Sequence, residues 1–150
     1  MKINGLLKIA LSLGVIAGAT SALADEVKVQ LAGSQEVPPV ATEARGAADL
    51  VVNSDMTVSG KVTTTGVAAT MAHIHIGKAG TNGPIALGLI RGAEGEWLVG
   101  PGAGFTEAQY AAYKAGELYF NVHSAEHKGG EIRGQIVPPP AGAMSPRQNY

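Results

Sequence analysis

The 150-residue chain contains no cysteine. That absence excludes disulfide scaffolds, zinc–thiolate modules, iron–sulfur clusters and cysteine nucleophiles, and it limits any metal ligand set to His, carboxylate or Met. Aromatic residues are sparse, with 1 Trp, 2 Phe and 4 Tyr, so the core is thin. Basic excess is also missing: 11 Lys and Arg stand against 12 Asp and Glu. A chain without a basic stripe is not built for nucleic acid. The longest apolar run, Ile9 to Ala19, is about 11 residues, short of the ~20 that a membrane-spanning helix needs.

What is present starts with that run. Lys2 and Lys8 precede it, and Ala22-Leu23-Ala24 before Asp25 is an A-x-A cleavage signature, so residues 1–24 read as a secretory signal peptide. The mature protein is then expected to be exported, to the periplasm or outside the cell, with no stable membrane insertion after cleavage. No cysteine follows the cleavage point to carry a lipid. Without Lys2 and Lys8 the formal charge falls from −1 to −3.

Residues 25–137 read as one β domain. Apolar residues alternate in short segments punctuated by the 21 Gly and 8 Pro of the chain, the period-2 pattern of half-buried antiparallel strands. Strands are expected over 27–31, 47–53, 57–64, 71–76, 85–90, 96–99, 118–124 and 131–137. Thr106-Glu107-Ala108-Gln109 fits a capping box, and Gly116 is a left-handed stop, which together predict one short helix at about 106–115. The fold class is therefore all-β: an antiparallel two-sheet sandwich or flattened barrel of about eight short strands. Pro138-Pro139-Pro140 ends the pattern, and 138–150 reads as a flexible Pro-rich tail.

All four histidines fall in two strand-plus-loop motifs. In Met71-Ala72-His73-Ile74-His75-Ile76, strand alternation puts Met71, His73 and His75 on one face and the isoleucines on the other. In Leu118-Tyr119-Phe120-Asn121-Val122-His123 the polar face holds Tyr119, Asn121 and His123. The following Glu131-Ile132-Arg133-Gly134-Gln135-Ile136 turns Glu131, Arg133 and Gln135 the same way, and the intervening link carries His127. If the 71–76 strand lies beside this hairpin, one face collects His73, His75, His123 and Glu131, with His127 nearby. Imidazoles with a carboxylate suit Zn²⁺ or Cu²⁺, and the Met71 sulfur would suit Cu⁺. The same residues fit a structural polar network with Glu36, Asn121, Arg133 and Gln135, and Arg133 would set a positive charge near any cation. Other motifs are weaker. Gln35 to Val40 reads as an ordered loop, Gly77 to Pro84 lacks the order of a phosphate loop and reads as a hairpin connection, and no Ser has a G-x-S-x-G context.

Four motifs in order carry a family resemblance: Leu31 to Val40 (LAGSQEVPPV), Ala72 to His75 with Gly83-Pro84-Ile85, Leu118 to Ser124, and Gly129 to Ile136. Together they resemble a CHRD (chordin-type) domain over about Val27 to Val137. The resemblance implies an extracellular, exported microbial-type module and no catalytic residues; His73, His75 and His123 match the motif, whereas His127 stands where the family often has another residue. The H-x-H strand is superficially similar to Cu/Zn superoxide dismutase, but four histidines and no disulfide are too few for that site. The resulting expectation is a non-catalytic exported binding or structural module of undefined protein partner. The alternative is a copper or zinc binder, with a metal-dependent enzyme as a distant third.

Overall fold

The computed structural model describes residues 24–140, so residues 1–23 of the expected leader over 1–24 and most of the expected tail over 138–150 lie outside the described residues. Eight strands form: β1 (Ala24–Ala32), β2 (Arg45–Asn53), β3 (Val58–Thr65), β4 (Ala69–Ile76), β5 (Ile85–Arg91), β6 (Glu96–Val99), β7 (Leu118–Ser124) and β8 (Ile132–Ile136). Every strand pair is antiparallel, and the order β1-β2-β3-β6-β5-β4-β7-β8 closes on itself through Ala32 and Arg133. Of the two all-β forms expected, the chain adopts the barrel, because β8 returns to β1 and leaves no free edge.

Period-2 alternation explains the core. Val27, Val29 and Leu31 of β1 point inward while Lys28 and Gln30 are exposed; Ala48, Leu50 and Val52 do the same on β2. Val62, Ile74, Phe120, Val122, Ile132 and Ile136 complete the filling, and Trp97 is buried with them. Branched aliphatic and aromatic side chains fill the lumen of this eight-stranded barrel. No helix among the described residues is long and apolar enough to cross a membrane.

The helix α1 (Glu107–Lys114) has the expected capping box, with the Thr106 side chain accepting from the Gln109 amide at 3.2 Å and Gln109 Oε1 accepting from the Thr106 amide at 2.8 Å. Gly116 follows with φ of +71°. Its fully buried Tyr113 fastens it to the barrel, donating to Asp25 Oδ2 at 3.0 Å. A 3₁₀ turn at Gly33–Gln35 lies outside the sequence pattern, and strand ends shift by up to three residues from the expected bounds, as where β1 starts at Ala24 rather than Val27 and β8 at Ile132 rather than Glu131. Gly130, at φ +134°, turns the chain before that strand begins.

Candidate metal centre

Strand pairing builds the site. β4 lies against β7 with Met71 opposite His123, His73 opposite Asn121 and His75 opposite Tyr119, and β8 continues each row with Arg133 beside Asn121 and Gln135 beside Tyr119. The 71–76 strand thus does lie next to the β7–β8 hairpin. Every residue of β7 is buried, although only Leu118, Phe120 and Val122 face the barrel core. The polar outer row is therefore covered, not solvated. Its cover is made of the 33–44 segment, the 77–84 link and the 125–130 turn, through the hydrogen bonds described below.

Three imidazoles converge on this outer face. His73, His75 and His123 each offer a ring nitrogen, and these atoms lie within 4.8 Å of one another. Three points so spaced share a centre within about 2.8 Å, against Zn–N bonds of ~2.0–2.1 Å, so sub-ångström ring movements bring all three to bonding distance. The ring centroids are 4.9 Å (His73–His123), 5.5 Å (His73–His75) and 6.0 Å (His75–His123) apart.

Backbone carbonyls set the tautomers. His75 Nδ1 lies 2.9 Å from the Gly83 carbonyl and His123 Nδ1 lies 2.9 Å from that of Lys128. A carbonyl only accepts, so both Nδ1 atoms carry the proton and both Nε2 atoms present lone pairs. His73 Nδ1 meets His123 Nε2 at 2.9 Å and donates to it. His75 Nε2 is the exception: it is buried without a hydrogen-bond partner, the sole such side-chain atom among the described residues. An orphan acceptor of this kind costs roughly 1–3 kcal/mol.

Electrostatics keep the rings neutral. Burial pushes all three histidines below their ordinary pKa. The neighbouring imidazoles add to the effect at His73, and the Arg133 charge adds to it at His75. The Gly83 and Lys128 carbonyls oppose burial at His75 and His123. Neutral imidazole is the form that binds a metal ion.

Buried polar and aromatic side chains pack around the three histidines. Asn121 Nδ2 donates to Glu36 Oε1 at 2.6 Å inside the protein. Burial raises the Glu36 carboxyl to about 7 despite the opposing Arg133 charge and Asn121 bond. Arg133, 1 % exposed, donates to the carbonyls of Thr81 (2.9 Å) and Lys78 (3.0 Å) and stacks its guanidinium 3.5 Å from the Tyr119 ring. Tyr119 in turn stacks on His75, with centroids 5.1 Å apart and planes at 12°. Gln135 Nε2 bridges the carbonyls of Gly77 and Gly116, both at 2.9 Å. The loop carbonyls thus hold Arg133 against Tyr119, whose ring also stacks on His75.

The remaining expected ligands do not join the cluster of convergent His and carboxylate groups. Glu131 accepts from Thr42 Oγ1 at 2.8 Å, which engages it with the 33–44 segment, and it is outside the convergent group. His127 stays in its loop, where its backbone bonds to Ser124 and Gly130. Met71 is in register with His123 but 47 % exposed. Missing from the sequence reading were Tyr119 as a stacking platform and the Gly83 and Lys128 carbonyls as tautomer-setting groups. The first had a signal, its place on the polar face of β7; backbone carbonyls have none.

A family model described as CHRD domain matches residues 27–136, nearly all of the described chain. No curated protein and no solved structure matches.

Proposed function

Because the chain belongs to the CHRD domain family, whose members are typically secreted, we propose that it is an exported module that binds a single Zn²⁺ or Cu²⁺ ion through His73, His75 and His123. The observation that carries this reading is the buried, unpartnered Nε2 of His75, whose lone pair a metal ion would satisfy. The Gly83 and Lys128 carbonyls accept from the Nδ1 atoms of His75 and His123, which fixes ring orientation and raises the basicity of each Nε2. Binding rather than turnover is favoured by the engagement of nearby acids: Glu36 is bonded to Asn121 and Glu131 to Thr42. The polar network of Glu36, Asn121, Arg133 and Gln135 is assigned the supporting role of holding the covering loops over the triad.

A purely structural role for the imidazoles draws on the His73–His123 bond, which is satisfied without metal. It leaves the His75 nitrogen unexplained. Thermal melts separate the two readings, since a ligand that binds only the native state adds RT ln(1 + [L]/Kd), about 2.7 kcal/mol at a hundredfold excess over Kd. Metal binding predicts a higher Tm with Zn²⁺ or Cu²⁺, lost in His123→Ala. Unchanged melting in both metals, with His73→Ala and His123→Ala each badly unfolded, supports the structural role instead.

A further inference from the structure

Resting on the three-imidazole centre, we propose that the bound ion keeps one coordination position open on the β5 side, over Gly88, and takes there a small exogenous nitrogen donor, such as a free imidazole. The protein brings three convergent nitrogens to the site, and Zn²⁺ and Cu²⁺ take at least four donors. The covered sides are closed: His123 is capped by Lys128, His75 by Gly83, and Asn121 by Glu36.

The flank toward β5 differs. Gly88 pairs directly with His73, the next residue across the sheet, and is exposed. A Cβ built on Gly88 would meet nothing within 4 Å, and no positive φ demands a glycine there. Gly83 and Gly130 are glycine for plain steric reasons, since a Cβ would strike the Ile76 carbonyl or the Asn121 amide. Gly88 has no such reason, yet it removes the one side chain that would stand beside His73. Around this gap are Met71, Ile90 and Ile85, each about half exposed at 47 %, 49 % and 55 %. An apolar rim around a borderline metal ion favours a neutral nitrogen heterocycle over a strongly hydrated anion.

The test loads wild type, Gly88→Ala, Gly88→Leu and Met71→Ala with Cu²⁺, then titrates imidazole while following the visible band and the EPR spectrum, with dialysis confirming that copper stays bound. Wild type is expected to shift its spectrum on binding one imidazole. Gly88→Leu should load copper normally but bind imidazole about tenfold more weakly, with Gly88→Ala between them, as overpacking a closed gap does. Met71→Ala should leave the copper spectrum unchanged before imidazole is added and then bind imidazole somewhat more weakly, because it removes part of the apolar rim. The proposal is overturned if loaded wild type ignores imidazole, if the Gly88 series binds it equally, or if Met71→Ala alters the copper spectrum itself, which would make the thioether the fourth donor. Failure of the loading step removes the metal centre, and the proposal with it, before imidazole is added.

Discussion

Replacing Arg133 with Met should strip the cover from the candidate centre while leaving the barrel closed. The guanidinium, 1 % exposed, makes two short bonds to backbone carbonyls, longer ones to Asn82 Oδ1 (3.4 Å) and Gln135 Oε1 (3.3 Å), and a stack on Tyr119. Charged hydrogen bonds contribute about 1.5–3 kcal/mol each, and a desolvated cation–π contact ~2 kcal/mol. Lys78 and Thr81 are exposed residues, so water can rehydrate their carbonyls, and the Met side chain restores part of the packing. A net loss of about 3–4 kcal/mol is expected, a large share of the ~5–15 kcal/mol stability of a small domain. Denaturant unfolding at constant m measures it, and amide exchange should show the loss of protection concentrated at 77–84, where Gly83 orients His75. Arg133→Lys should recover little, because an ammonium cannot make the planar fork and stack together. A loss below about 1 kcal/mol, or unchanged exchange at 77–84, would refute the claim that Arg133 holds the cover.

Three further outcomes follow from the same geometry. Glu36, raised to about 7 from an ordinary 4.5, favours the native state fully below pH 4.5, and that contribution fades as pH rises through 7; Glu36→Gln should therefore gain stability relative to wild type between pH 5 and 8, by up to about 3 kcal/mol, read from urea midpoints at each pH. The three histidines act in the opposite sense: their lowered pKa leaves stability intact above pH 6.5 and erodes it as pH falls, so wild type should lose more stability than His123→Gln on acidification. Gly130→Ala meets both left-handed backbone strain and the Asn121 and Glu36 side chains, and a loss of roughly 2–4 kcal/mol is expected in thermal unfolding; a tolerated alanine would show that the turn has slack.

Much of the fold was legible because alternation is a direct imprint of the barrel wall: Val27, Val29 and Leu31 face in whatever the loops do. The helix was legible for the same local reason, since Thr106, Gln109 and Gly116 carry their own start and stop signals. The strand pattern also placed His73, His75 and His123 on one polar face. It did not show that this face is roofed, because alternation says which way a side chain leaves the sheet and nothing of which segment folds over it. Glu131 illustrates the limit. Strand parity set it beside His123, but its carboxylate accepts from Thr42, a residue of the 33–44 segment that parity does not place. Arg133 illustrates the converse, since the partners that hold its buried guanidinium, the Lys78 and Thr81 carbonyls and the Tyr119 ring, are none of them adjacent to it in sequence.

The central claim is that three particular nitrogens meet at one ion, and ¹⁵N-histidine NMR on addition of one equivalent of Zn²⁺ observes those nitrogens individually. His75 and His123 should keep their Nδ1 protons and move at Nε2, His73 should move at Nδ1, and His127 should not respond. Absence of any change at His75 Nε2, or a response confined to His127, would contradict the account.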